Sequence, residues 1–162
     1  MNRRHPVIII FIIVCIPLFF SHSRGEETKS AGGQELTLSR EFQRLLAAEM
    51  NAIQNGMTDL VMAIPAGQWD TIVVTARSMN ETYIINKKLS GKEKAEFESS
   101  LPKGYRDIDT DFKELTSGMI HAAEQRNMEK VSVLFHRLME NCLQCHSQHA
   151  KTRFPDLDVP VK

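Results

Sequence analysis

The chain has 162 residues and balances 20 Lys plus Arg against 20 Asp plus Glu, with three cysteines. That length holds one domain with a real core. The balanced charge gives no reason to expect a nucleic-acid partner, which needs a concentrated basic surface. Asn2, Arg3, Arg4 and His5 make a basic start, and Val7 to Phe20 is an apolar run of fourteen residues broken only by Cys15 and Pro17. A membrane-crossing helix needs about 20 apolar residues. The run therefore reads as the centre of a secretory signal peptide over 1–23, with Ser21 and Ser23 as the small residues before a cut near Arg24. An uncleaved anchor is the alternative; a lipoprotein is excluded because Val14, not a small residue, precedes Cys15. The reading predicts export to the periplasm and contact with a membrane only through the signal.

Without the leader about 139 residues remain, near −2 in charge, and Cys142 and Cys145 are their only cysteines. In an oxidising compartment such a pair is a disulfide or an attachment and ligand site. Residues 24–35 (RGEETKSAGGQE) are polar and glycine-rich and read as a flexible tether. The domain follows over 36–155, with a short tail over 156–162.

Within the domain the dominant period is 3.6. Phe42, Leu45, Leu46, Met50, Ile53, Met57, Leu60, Val61 and Ile64 place a first helix over Thr37 to Ile64, stopped by Pro65-Ala66-Gly67. Trp69, Ile72, Val73, Ala76, Met79, Tyr83 and Ile84 continue the pattern in a second helix to about Leu89. Its β-branched residues favour a strand only weakly, and the length of the run outweighs them. Ser90-Gly91-Lys92-Glu93 offers a capping box for a short connecting helix over Lys92 to Ser99, and Leu101 to Gly104 reads as a loop. Ile108, Phe112, Leu115, Met119 and Ala122 or Ala123 give a third long helix its inner face. Asn127 caps a fourth, whose stripe is Val131, Leu134, Phe135, Leu138, Cys142, Cys145 and His146. The pattern predicts an all-α protein, an antiparallel four-helix bundle.

The chemistry concentrates in Cys142-Leu143-Gln144-Cys145-His146. Positions i, i+3 and i+4 of a helix share one face. A flat macrocycle laid on that face can take two thioether bonds from the sulfurs and one iron bond from the imidazole, which is the C-x-x-C-H haem-attachment pattern. Three other readings stand beside it. A disulfide between the two cysteines suits the compartment, although redox pairs of this spacing usually open a helix beside a sheet. Zinc held by Cys142, Cys145, His146 and His149 has suitable elements, but one continuous helix does not easily surround an ion tetrahedrally. Ordinary core cysteines beside a histidine are the third.

A C-x-x-C-H near the end of the last helix, in an exported chain of this size with four helices, resembles the class II c-type cytochromes, cytochrome c prime and its six-coordinate low-spin relatives. The resemblance spans Leu38 to about Phe154. It implies covalently attached haem c on the last helix, with His146 as the proximal iron ligand and a side chain of the first helix over the opposite face. Met50, followed by Met57 and Leu60 at seven and ten positions, takes that distal place. Its alternative is a plain core residue, as for Met57, Met62, Met79, Met119 and Met139. Ala47 and Ala48 leave a flat ring room, and Leu138, Val131, Phe42 and Met50 are expected around it.

With methionine as the distal ligand, the expected function is a monohaem carrier of single electrons between redox partner proteins, without enzyme activity. Iron left five-coordinate would instead bind or sense nitric oxide or carbon monoxide. The resemblance also allows a homodimer through the first two helices. Two features depart from the family pattern. His149 stands where an aromatic residue is common, with stacking on the haem edge, a bond to a propionate and facing water as its readings, the last being the expectation. The basic residue usual next to it comes one or more places later, as Lys151 or Arg153, the candidates to pair with haem propionates. His121 and His136 read as surface residues, His121 also as a minor alternative distal ligand, and Trp69 and Phe112 as core.

Overall fold

The computed structural model describes residues 33–81 and 83–157. The predicted signal peptide over 1–23, residues 24–32 of the tether and 158–162 of the tail lie outside the described residues, as do the side chains of Tyr83 and Ile84. Among the described residues the protein is all-α: α1 Arg40–Ala63, α2 Trp69–Asn80, α3 Tyr83–Lys88, α4 Gly91–Ser100, α5 Lys103–Glu124 and α6 Met128–His149.

Local chemistry sets most of these boundaries. The Ser39 hydroxyl accepts the N–H of Phe42 at 3.2 Å and opens α1, and the Asn127 side chain accepts the N–H of Lys130 at 2.9 Å and opens α6. Each removes one donor that the first helical turn leaves unpaired. The Glu93 carboxylate takes both the N–H and the hydroxyl of Ser90, at 2.8 and 2.6 Å, and starts α4. α4 thus begins at Gly91, one residue ahead of the expected Lys92. Lys103 and Gly104, expected in a loop, already belong to α5.

The predicted second helix is broken after Asn80. The Asn80 amide donates to the Lys113 carbonyl at 2.7 Å and to the Thr116 hydroxyl oxygen at 2.8 Å, which ties the end of α2 to α5. Five residues on, the N–H of Ile85 is taken by the buried Glu49 carboxylate at 3.2 Å. The Glu49 carboxylate thus supplies Ile85 with the acceptor that an unbroken ladder would have given it, and the chain restarts as α3.

α2 packs along α5, α5 along α6, and α1 against α2 and α3. A first core joins Leu60, Ile72, Met119, Val131 and Leu138, all without measurable exposure, to Met57, Ala76, Met79 and Phe112. A second core gathers Leu38, Phe42, Ile85, Phe97, Leu101 and Tyr105, with Cys145 packed against it. Trp69 leans on the first core and Phe112 belongs to it, as expected. α1 and α6 make little direct contact with each other. Between them lies a cavity.

Candidate functional site

Cys142, Cys145 and His146 all line that cavity, which has a volume of about 740 Å³. Met50 of α1 lines it too, beside Leu46, Ala47, Ile53 and Met57. Cofactor-sized ligands occupy cavities of about 300 to 1,000 Å³ with mostly apolar walls and a few polar groups. The size, the two sulfurs, the imidazole and the thioether fit a covalently held haem. Of the four residues expected around the ring, only Met50 borders the cavity. Val131 and Leu138 belong to the first core, and Phe42 packs edge-on against Phe97 with ring centroids 5.2 Å apart in the second. The apolar stripe of α6 is wide enough to serve two neighbours: its Val131 and Leu138 edge joins the core, while its Phe135, Met139 and His146 edge borders the cavity.

No disulfide joins Cys142 to Cys145; both are thiols and partly buried. Burial pushes the Cys142 thiol up. Cys145 is pushed up to about 12 by burial, with Cys142 and Asp109 adding to it. Both thiols are therefore neutral near pH 7. The His146 ring stacks on Phe154 with centroids 4.3 Å and planes 11° apart. Burial, then the positive Arg153, holds its imidazole below the ordinary range. That keeps a ring lone pair available for a metal.

His149 corrects the expectation of a water-facing side chain. It is 3% exposed, packed edge-on against Tyr105 of α5 with centroids 5.8 Å apart. Its Nδ1 lies 2.8 Å from the Gln34 carbonyl oxygen, which can only accept, so Nδ1 carries the proton. Nε2 is buried without a hydrogen-bond partner. Of the two basic residues expected near propionates, Arg153 borders the cavity, its guanidinium 5.8 Å from the centre of the Phe154 ring. Lys151 does not; its backbone N–H donates to the Glu35 carboxylate at 2.8 Å. His121 and His136 are exposed, the first 3.0 Å from Gln125, the second 3.8 Å from Glu140. His121 does not border the cavity, which separates it from the distal position.

Several residues at the site carry no signal in the sequence. Glu35, Leu36 and Leu38, ahead of α1, form part of the wall, and Tyr105 and Phe154 complete it. Behind Met50 a second cavity of about 160 Å³ shares Leu46, Met50, Ile53 and Tyr105 with the first and is also lined by Lys94, Asp109 and Lys113. No family model matches the chain, and no curated protein or solved structure proves significantly similar to it. Among the described residues no helix is long and apolar enough to cross a membrane.

Proposed function

We propose that the chain is an exported, periplasmic monohaem cytochrome of the class II kind that carries single electrons between redox partner proteins. On this reading α1, α2 with α3, α5 and α6 make an antiparallel four-helix bundle. Cys142 and Cys145 hold haem c through thioethers, His146 is the proximal ligand and Met50 the distal one. The observation that carries the reading is the convergence of two thiols, an imidazole and a thioether on one cavity of about 740 Å³, between two helices that scarcely touch each other.

Bound there, haem c supplies reversible one-electron chemistry at its iron. The surrounding side chains set the conditions. His146 offers an unprotonated nitrogen, and a Met50 thioether raises the reduction potential relative to a second imidazole. Leu46, Ile53 and Met57 keep water from the ring, while Arg153 places a cation at the rim. Encounters with redox partners of this kind are weak and partly electrostatic.

The absorption spectrum and mass of the exported protein test the proposal. A Soret band, a low-spin ferrous spectrum and a mass equal to haem plus the leaderless chain are expected. A colourless protein with the mass of polypeptide alone overturns it. A five-coordinate, gas-binding protein is the second reading, favoured by the small cavity into which Met50 could withdraw. Immediate carbon monoxide binding to the ferrous protein would select that reading.

A further inference from the structure

We infer that His149 is a positioning residue: its imidazole fastens residues 33–38 to the end of α6 and so holds that segment as a wall of the cofactor cavity. The consequence for the cofactor rests on the haem reading, whereas the contact stands on the polypeptide alone.

Three hydrogen bonds make the fastening. His149 Nδ1–H donates to the Gln34 carbonyl at 2.8 Å, the Leu36 N–H donates to the His149 carbonyl at 3.2 Å, and the Lys151 N–H donates to the Glu35 carboxylate at 2.8 Å. Glu35, Leu36 and Leu38 then border the cavity. Gly33 fits because it lacks a side chain: a Cβ there would lie 2.3 Å from Cβ of Gln148 and 2.4 Å from its backbone, which cannot yield.

The imidazole itself points to the same role. A phenylalanine would fill the space beside Tyr105 without burying an unpaired nitrogen, and burying Nε2 with no partner is unfavourable. What nitrogen adds at this position is the bond to Gln34. The fastening also fixes the approach to α1, the helix that carries Met50.

Hydrogen exchange on the full, haem-loaded chain tests the inference. In His149→Phe the Leu36 amide should exchange roughly fivefold faster, the effect of losing one hydrogen bond from the fastening. His149→Asn, which returns an N–H donor near the place of Nδ1, should restore most of the protection. Exchange within α5 and α6 should stay unchanged. The midpoint potential should fall in the Phe variant and recover in the Asn variant, because water reaching the cavity favours the ferric state. Unchanged exchange over 33–38, or equal acceleration throughout α5 and α6, overturns the inference. A loosened segment with an unmoved potential overturns its role as a wall. Should His149→Phe fail to fold, Gly33→Val loosens the same segment where it meets Gln148, and undiminished protection of Leu36 there is equally fatal. If the protein proves colourless, the haem reading falls, and the exchange comparison still decides the fastening.

Discussion

Met50 borders two cavities, and on the proposed haem reading the one its sulfur occupies decides whether the iron has a distal ligand. Met50 shares the larger cavity with His146, and a sulfur turned into the smaller one would leave the distal face of a bound haem open. Met50→Ala should therefore convert a low-spin ferrous spectrum into a high-spin one that binds carbon monoxide at once. Met57→Ala, a truncation of another cavity methionine one helical stretch away, should leave the spectrum low-spin. An unchanged spectrum in Met50→Ala would assign the distal position elsewhere. The placement of Cys142, Cys145 and His146 on one wall was legible in the sequence because i, i+3 and i+4 share a face whatever surrounds the helix. His149 was not legible, since the carbonyl that accepts its hydrogen bond lies 115 residues earlier in the chain.

Helices whose boundaries are set by neighbours in sequence were readable, and those set by distant partners were not. Ser39 and Asn127 cap the helices that follow them, and Ser90 meets Glu93 three residues on. The break between α2 and α3 has no such local cause, because Asn80 and Ile85 find their partners on α5 and α1. Periodicity alone runs straight through it. The Asn80 contacts provide a test, since one side-chain amide serves two acceptors, one of them the hydroxyl of a fully buried threonine. Asn80→Ala should lower stability by about 2 kcal/mol. Ser39→Ala, which removes one part-buried cap bond, should lower it by about 1 kcal/mol. In urea both should move the midpoint without changing the slope, as expected when the exposed area is unaltered. An Asn80→Ala midpoint equal to wild type would mean that some other contact holds the break.

The second core, both cavities and α5 meet at Tyr105, which is 8% exposed. Burial is the main cause that pushes its phenol upward; a free Cys145 thiol, once ionised in alkali, and the carboxylates of Asp109 and Glu49 add to it. The folded protein therefore holds the phenolic proton more tightly than the unfolded chain, whose tyrosine ionises near 10.0. The resulting stability is complete below about pH 10 and declines as pH rises toward the folded value, because only the unfolded chain gains by losing the proton. With haem attached, Cys145 is a thioether and does not titrate, so Tyr105 is the part of this cluster left to respond to alkali. Tyr105→Phe cannot ionise. Between about pH 9 and pH 11 its melting temperature, followed by helical circular dichroism, should fall less than that of the wild type. Lysine and arginine titrations are common to both proteins and cancel in the difference. Equal losses would mean that the phenol reaches water in the folded state, and the region where the two cavities meet would then be open to solvent.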